Sequence, residues 1–335
     1  MNKDQIKQLA ERGRFNQESI RGTLEETHIS WVVLSKAFVF KIKKPVRLSF
    51  LDFSTLAKRK EFCEKELYLN KRFSTIYIDV VPVRYTAPDW TVGDGEGTIV
   101  DYAVQMKRLN PAKRMDKLLA KRQVFKPFII ALAKEVAHFH RNAQVIHTTI
   151  IADREAATFN DISTISRFVE DNLGIEFLKV IENSMAWNEQ ILAEHQMRMA
   201  ARITLGYQRD VHGDLHAGNI FVYKHPIIFD CIEFNDAFRQ IDVLNEIAFL
   251  CMELEAYNRN DLAETFVTEY RVAFDCFPDR EDFALFNYYK CLRANIRAKV
   301  HAIHCGQAEN KQLFNYHLER LKTYLILIKR YAGIK

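Results

Sequence analysis

The sequence predicts an α+β protein of two parts, a mixed strand and helix region followed by a mainly helical one. Three observations carry this. Apolar residues alternate over short β-branched and aromatic runs up to about residue 106. Beyond about residue 110 the apolar spacing becomes helical almost throughout. The one long interruption is a polar stretch, Val211-His212-Gly213-Asp214-Leu215-His216-Ala217-Gly218-Asn219-Ile220, followed by the apolar run Pro226-Ile227-Ile228-Phe229 and then Asp230. The expected boundaries are residues 1–106 for the first part and 107–335 for the second.

Met1-Asn2-Lys3-Asp4-Gln5 opens a polar helical pattern without the apolar centre of a signal peptide. Residues 27–34 and 37–43 are rich in Ile, Val, Trp and Phe and are separated by Ser35-Lys36, which predicts a hairpin. Ser54 is a candidate N-cap for a helix in which Leu56, Cys63, Leu67 and Asn70 recur to about Phe73. Residues 80–83 and 99–106 are strand candidates, with the turn-rich Gly93-Asp94-Gly95-Glu96-Gly97 between them. In the second part, helix signals occur at Asp161-Ile162-Ser163 and after Gly174 as far as Gly206. Two short strands are expected at about 220–223 and 227–229.

Bulk properties set limits. A chain of 335 residues with 48% apolar side chains and only 11 Gly and 7 Pro is long and apolar enough for two substantial cores. A net charge of +5 is compatible with an anionic ligand but is no nucleic-acid footprint. No run reaches the length of a membrane span, so a soluble, cytoplasmic protein is expected. The six cysteines form no C-x-x-C pair, which argues against a disulfide framework or a cysteine zinc site. His301-Ala302-Ile303-His304-Cys305 places metal-ligating types close together, but a helix end carrying polar residues accounts for it.

The polar stretch has the composition of a phosphoryl-transfer centre. Such a centre needs a carboxylate to orient and deprotonate the attacking hydroxyl, and oxygen ligands for Mg²⁺ against nucleotide phosphates. Asp214 fits the first role, and Asn219 with Asp230 the second. The spacing of Asp214 and Asn219 matches the aspartate and asparagine of H-R-D-x-x-x-x-N.

With Phe229-Asp230 eleven residues after Asn219, the pattern resembles the aminoglycoside phosphotransferase and choline kinase branch of the protein-kinase-like superfamily. In that branch glycine commonly replaces the arginine of H-R-D. The strings Thr27-His28-Ile29-Ser30-Trp31 and Ile228-Phe229-Asp230-Cys231-Ile232-Glu233-Phe234-Asn235-Asp236 resemble an uncharacterised bacterial subgroup of it. The resemblance implies a protein-kinase-like two-lobe fold, with a mixed N-lobe, a mainly helical C-lobe and nucleotide in the crevice between them. It implies that Lys41 positions phosphate, anchored by Glu66, with Lys43 and Glu64 as the alternatives. It also implies a hinge over residues 103–110, with Met106 behind adenine and the Lys107 carbonyl and Leu109 amide at its edge. His212 is expected to brace the loop, Asp242 to open the next helix and tie it to the loop, and Glu233 to make a loop contact. His138 and His140 are expected to be structural.

Two familiar elements are missing from the sequence. There is no G-x-G-x-x-G before Lys41 and no A-P-E after Asp230, which opposes a protein kinase. A Walker A motif is also absent. The expected activity is therefore an ATP- and Mg²⁺-dependent transfer of the γ-phosphoryl group to a hydroxylated small molecule. A nucleotide-binding pseudokinase and a protein Ser/Thr kinase are the alternatives. Residues 245–285 carry ten acidic and three basic side chains, against ten basic and four acidic over residues 40–72. That asymmetry suggests a neutral or cationic acceptor.

Overall fold

The computed structural model describes residues 1–48, 51–147 and 152–334. Chain contacts divide them into two compact units, Met1–Arg114 with Asn219–Tyr223 and Ile227–Arg239, and Met115–Gly218 with Lys224–Pro226 and Gln240–Lys335. The sequence boundary at 106/107 falls inside the first unit, which also takes in most of the segment around Asp230.

The first unit begins with α1 (Lys3–Arg12), where Asn2 and Gln5 bond reciprocally to each other's backbone amides in a capping box. There follow β1 (Arg14–Phe15), β2 (Glu18–Ser19), β3 (Thr23–Glu26), β4 (Ser30–Leu34), β5 (Phe38–Lys43), β6 (Arg47–Leu48), β7 (Leu51–Asp52), α2 (Leu56–Asn70), β8 (Tyr77–Thr86), β9 (Asp89–Val92) and β10 (Thr98–Lys107). Eight of these strands form one sheet in the order β2-β1-β9-β8-β10-β5-β4-β3, antiparallel except where β1 meets β9. Two-residue strands such as β1 and β2 have too few residues to show a period, so the sequence pattern misses them.

The predicted hairpin is β4 and β5, closed by Ser35, whose hydroxyl donates to the Phe38 carbonyl at 2.9 Å. Alternation then assigns the faces of β5. Phe40 and Ile42 enter a core with Ile6 and Leu9 of α1, Trp31, Val33, Val83 and Trp90. Val39 enters the other core, with Cys63 of α2, Val104 and Met106. Lys41 and Lys43 share the parity of Val39 and meet α2. The N-cap of α2 is Thr55, whose hydroxyl accepts from the Lys58 amide at 3.3 Å, and not Ser54. Ser54 bonds instead to Asp52, two residues back.

The second unit holds α3 (Met115–Ala120), α4 (Lys126–Asn142), α5 (Ala152–Asn160), α6 (Ser166–Leu173), α7 (Ile175–Thr204), α8 (Val243–Ala256), α9 (Asn260–Ala273), α10 (Glu281–Gly306) and α11 (Lys311–Tyr331). Helix α8 is buried around nearly its whole circumference, as its run of Leu, Ile, Phe, Cys and Met dictates, and packs against α9 and α10. Helices α10 and α11 lie against each other. A mixed-strand sheet unit and a mainly helical unit are the α+β organisation the sequence predicts. None of the described helices is long and apolar enough to cross a membrane.

Candidate active site

The motif over residues 211–220 passes from the second unit into the first at Gly218–Asn219. Ile220–Val222 and Pro226–Ile228 form a two-stranded sheet, and in the first unit the Phe229 amide donates to the Asn219 carbonyl at 3.1 Å. Asn219 is thereby fixed beside the residue that precedes Asp230.

Asp230 has φ +65°, the left-handed region, which a short polar side chain tolerates better than most. Its amide donates to the Tyr77 hydroxyl at 3.0 Å, and the next amide, of Cys231, donates to Asn70 Oδ1 at 2.9 Å. Tyr77 and Asn70 come from β8 and α2, so the turn is held from two elements. The Asp230 carboxylate is 43% exposed, which leaves it accessible to a ligand.

The structure brings Lys41, Glu66 and Asp230 together. Lys41 Nζ lies 2.9 Å from Glu66 Oε1 and 2.6 Å from Asp230 Oδ1. Lys43 Nζ lies 2.7 Å from Glu66 Oε2 and also pairs with Glu233. The two lysines thus share Glu66. Only Lys41 reaches Asp230, while Lys43 is fully buried. Glu64, the alternative partner, is 56% exposed and lies near Lys60.

Burial opposes the charge on Lys41, but Asp230 and Glu66 hold its pKa well above the usual lysine value. Burial likewise opposes ionisation of Glu66, and the two ammonium groups overcome it and keep its carboxyl low. Burial, with the like charge of Glu66, pushes Glu233 up against the pull of Lys43. The sequence suggested only a loop contact for Glu233; its side chain instead reaches Lys43 on β5.

Met106 is buried among Cys63, Ile76, Tyr77 and Val104, with Leu109, Ile227 and Phe229 packed against them. The Lys107 and Arg108 amides donate to Ile76 and Ala37, each at 2.9 Å. Among the described residues no partner takes the Leu109 amide.

In the second unit, Asp214 lies in a loop held through its backbone. The Asp214 amide donates to His212 Nδ1 at 3.3 Å, and His212 is buried. Gly213 sits at φ +84°, where a side chain would be strained, which is the local reason for a glycine there. The His212 and Gly213 amides both donate to Glu246 of α8, at 2.8 Å and at 3.2 and 3.0 Å to its two oxygens. Arg293 of α10 donates to the Gly213 carbonyl at 3.2 Å and to Asn245 Oδ1 at 2.7 Å.

Burial opposes the charge on Asp214, but His216, whose Nε2 lies 3.4 Å from Oδ2, then His212 and Arg293, hold its carboxyl below the usual range. Burial raises Glu246 to about 7, against Arg293 and the two amides. His140 is buried against the Tyr270 hydroxyl at 2.7 Å, and burial lowers it to about 3.

Asp242 opens α8 as expected but is not what ties that helix to the loop. It caps α8, accepting from the Leu244 amide at 2.7 Å, but its carboxylate faces Arg202 of α7 at 2.6 and 2.9 Å. The loop amides go to Glu246, one turn further along the helix. An acidic residue set in the apolar run 243–250 was the available signal, since a carboxylate at such a position must have partners.

The acid-rich stretch also reads differently in space. Glu253 faces Arg297 at 3.2 Å and Arg320 at 3.9 Å, and bonds to the Tyr324 hydroxyl. Glu255 pairs with Lys290 at 3.0 Å and with Arg330, and Asp261 pairs with Arg259 at 2.9 Å. The cations come mostly from α10 and α11, outside the sequence window in which the charges were counted. The excess is therefore largely neutralised, and the inference of a cationic acceptor loses its basis.

No family model matches the chain. Uncharacterized proteins of Mycobacterium tuberculosis and Mycobacterium bovis are 28% identical to it over 299 residues, 85% of this chain and 56% of theirs. The chain thus spans about half the length of these curated relatives. Among solved structures, a choline/ethanolamine kinase family protein from Mesorhizobium loti matches with TM-score 0.52 at 12% identity, covering 99% of this chain and 98% of that one. Choline kinase from Cryptosporidium parvum Iowa II matches with TM-score 0.52 at 12% identity, covering 93% and 90%. The GDP complex of aminoglycoside 2'-phosphotransferase-IIIa matches with TM-score 0.50 at 12% identity, covering 91% and 92%.

Proposed function

We propose that this chain, which has the protein-kinase-like fold of choline kinases and aminoglycoside phosphotransferases, is an ATP- and Mg²⁺-dependent phosphotransferase. Its acceptor is a hydroxyl group on a small molecule. The observation that carries the reading is the ion-pair chain from Glu66 through Lys41 to Asp230. A lysine held this way is a fixed cation next to an accessible carboxylate, as positioning of nucleotide phosphates demands.

The donor set suits the metal. Mg²⁺ takes hard oxygen ligands, commonly one or two carboxylates completed by phosphate and water. Asp230 supplies an accessible carboxylate on an anchored backbone, and Asn219 an amide oxygen tied to the same turn. When bound, the metal offsets charge on the β- and γ-phosphate oxygens.

Lys41 would donate hydrogen bonds to phosphate oxygens, with Glu66 fixing the direction of its ammonium. Met106 would pack against adenine, and the Leu109 amide and Lys107 carbonyl would offer it one donor and one acceptor. Asp214 would accept the hydrogen bond of the acceptor hydroxyl and aim its oxygen at phosphorus. As the new O–P bond forms, the bond to the β-phosphate breaks, its electrons leave with ADP, and Asp214 takes the hydroxyl proton. A carboxylate with a lowered pKa is a weak base. Orientation is therefore its larger contribution, and proton transfer comes late in a loose transition state.

The paired acidic stretch sets no charge preference, so the test panel spans neutral, cationic and anionic hydroxyl compounds. ADP release is followed for the native chain and for Asp214→Asn with ATP and Mg²⁺. Acceptor-dependent turnover that vanishes in the variant supports the reading. Nucleotide binding without turnover on any acceptor points to a regulatory nucleotide-binding protein.

A further inference from the structure

A second group of titratable side chains, sharing no residue with the motif, lies on α10 and α11. His301 and His304 are three residues apart on α10 and so face the same way. Helix α11 brings His317 to them. The Nδ1 atoms of His301 and His317 are 2.9 Å apart, and one ligand nitrogen from each of the three rings lies within 4.8 Å of the other two. His301 is only 4% exposed, and its Nε2 has no hydrogen-bond partner among the described residues. The other two rings are half-buried, which leaves a path for a solute.

We infer that His301, His304 and His317 form a binding site for a zinc-class divalent cation that clips α10 to α11, with its fourth position open to water. Three imidazoles suit Zn²⁺, Cu²⁺ or Ni²⁺, whereas Mg²⁺ prefers oxygen. Around a tetrahedral ion with Zn–N bonds of about 2.0–2.1 Å, the nitrogens stand about 3.4 Å apart. The 2.9 Å pair would open slightly and the longest separation would close by no more than about 1.5 Å, within the reach of ring rotation.

Arg297 and Arg320 lie near enough to His301 to act on it electrostatically. The two arginines oppose a cation, but both face the Glu253 carboxylate, which offsets one of their two charges. The neighbouring Cys305 thiol is directed to the Phe314 carbonyl at 3.8 Å and is not part of the set.

The test uses the full chain stripped with chelator and titrated with Zn²⁺ against a chromophoric competitor. Co²⁺ spectra and thermal melts accompany the titration. The native chain should take up about one equivalent at this site, give the visible absorption of four-coordinate Co²⁺, and melt higher with zinc. His304→Ala and His317→Ala, checked for native circular dichroism, should each bind at least about tenfold more weakly and lose the rise in Tm. Asp230→Ala should keep both. Failure of the native chain to bind zinc, or unchanged binding in the histidine variants, would overturn the site and leave a hydrogen-bonded histidine pair. Loss in Asp230→Ala alone would assign the zinc to the carboxylates. None of these outcomes bears on phosphoryl transfer.

Discussion

The two units position charge in different ways. In the first, side chain meets side chain: Lys41 and Lys43 are held by Glu66, Asp230 and Glu233 in a largely buried network of ion pairs. In the second, Asp214 is placed by its backbone, because Glu246 and Arg293 grip the amides and carbonyl of the preceding residues. Ion pairing fixes where a cation sits but couples every member to the rest. A backbone cradle fixes a loop while leaving the acting carboxylate with its own chemistry. The first arrangement should therefore break on loss of one charge, and the second on a change of protonation.

The largest effect is expected at Asp214, the group the cradle presents. Asp214→Asn keeps size and shape but removes the negative charge that orients the acceptor hydroxyl and takes its proton, so kcat should fall by about 10²- to 10⁴-fold with the fold and nucleotide affinity retained. Single-turnover assays beside nucleotide titrations measure both. Turnover near the native rate would take Asp214 out of the mechanism and leave the cradle a purely structural device.

Within the first unit, Lys41 and Lys43 share one glutamate but should fail differently. Lys43→Met leaves Glu233 buried without its cation, which costs about 3–5 kcal/mol of stability. Chemical denaturation should register that loss, and Lys43→Met with Glu233→Gln should recover part of it. Lys41→Met should instead spare stability more and lower kcat by about a hundredfold, because Lys41 is the one that reaches Asp230. Equal stability losses in the two single variants would mean that the network does not distinguish its lysines.

The cradle makes a pH-dependent prediction through Glu246. Its carboxyl is raised from the usual 4.5 to about 7 by burial, so between those values the folded chain holds a proton that the unfolded chain has released. Stability contributed by that proton is complete below about 4.5 and declines as pH rises through 7, by about 3 kcal/mol in all. Glu246→Gln carries no such proton, so the native-minus-variant stability should fall by that amount from pH 4.5 to 8. Parallel curves would show that Glu246 titrates normally. Activity should move the opposite way, since the anion is the better acceptor for the two amides. Native kcat/KM should show an acid limb near pH 7 that the variant lacks.

How much of this was legible in the sequence follows from distance along the chain. The hairpin around Ser35 and the helix carrying Glu66 declare themselves by local period, and the faces of β5 follow from parity once one residue is placed. The spacing of Asp214, Asn219 and Asp230 is likewise local, within seventeen residues. Glu246 and Arg293 escaped because no local pattern says which loop a buried side chain reaches. The charge count over residues 245–285 misled for the same reason: Arg297, Arg320 and Arg330 neutralise Glu253 and Glu255 from helices outside that window. Choosing Thr55 over Ser54 as the cap took the actual backbone, since both are good capping types one residue apart.

The smallest effect marks where the first unit's charge network ends. Glu64 and Glu66 lie on the same helix two residues apart, which turns them to different sides, and only Glu66 is buried against the lysines. Glu64 is 56% exposed, with Lys60 at 3.7 Å one turn earlier, an arrangement screened by solvent and worth little. Glu64→Gln should shift stability by less than about 0.5 kcal/mol and leave kcat and KM for ATP unchanged. Glu66→Gln should raise KM for ATP and lower kcat, because it frees the Lys41 ammonium to turn entirely toward Asp230. Measuring both variants under one set of conditions sets the boundary of the network at the buried side of α2. A kinetic defect in Glu64→Gln as large as that in Glu66→Gln would instead mean that the helix surface as a whole, and not the buried ion pairs, governs the phosphate side of the reaction.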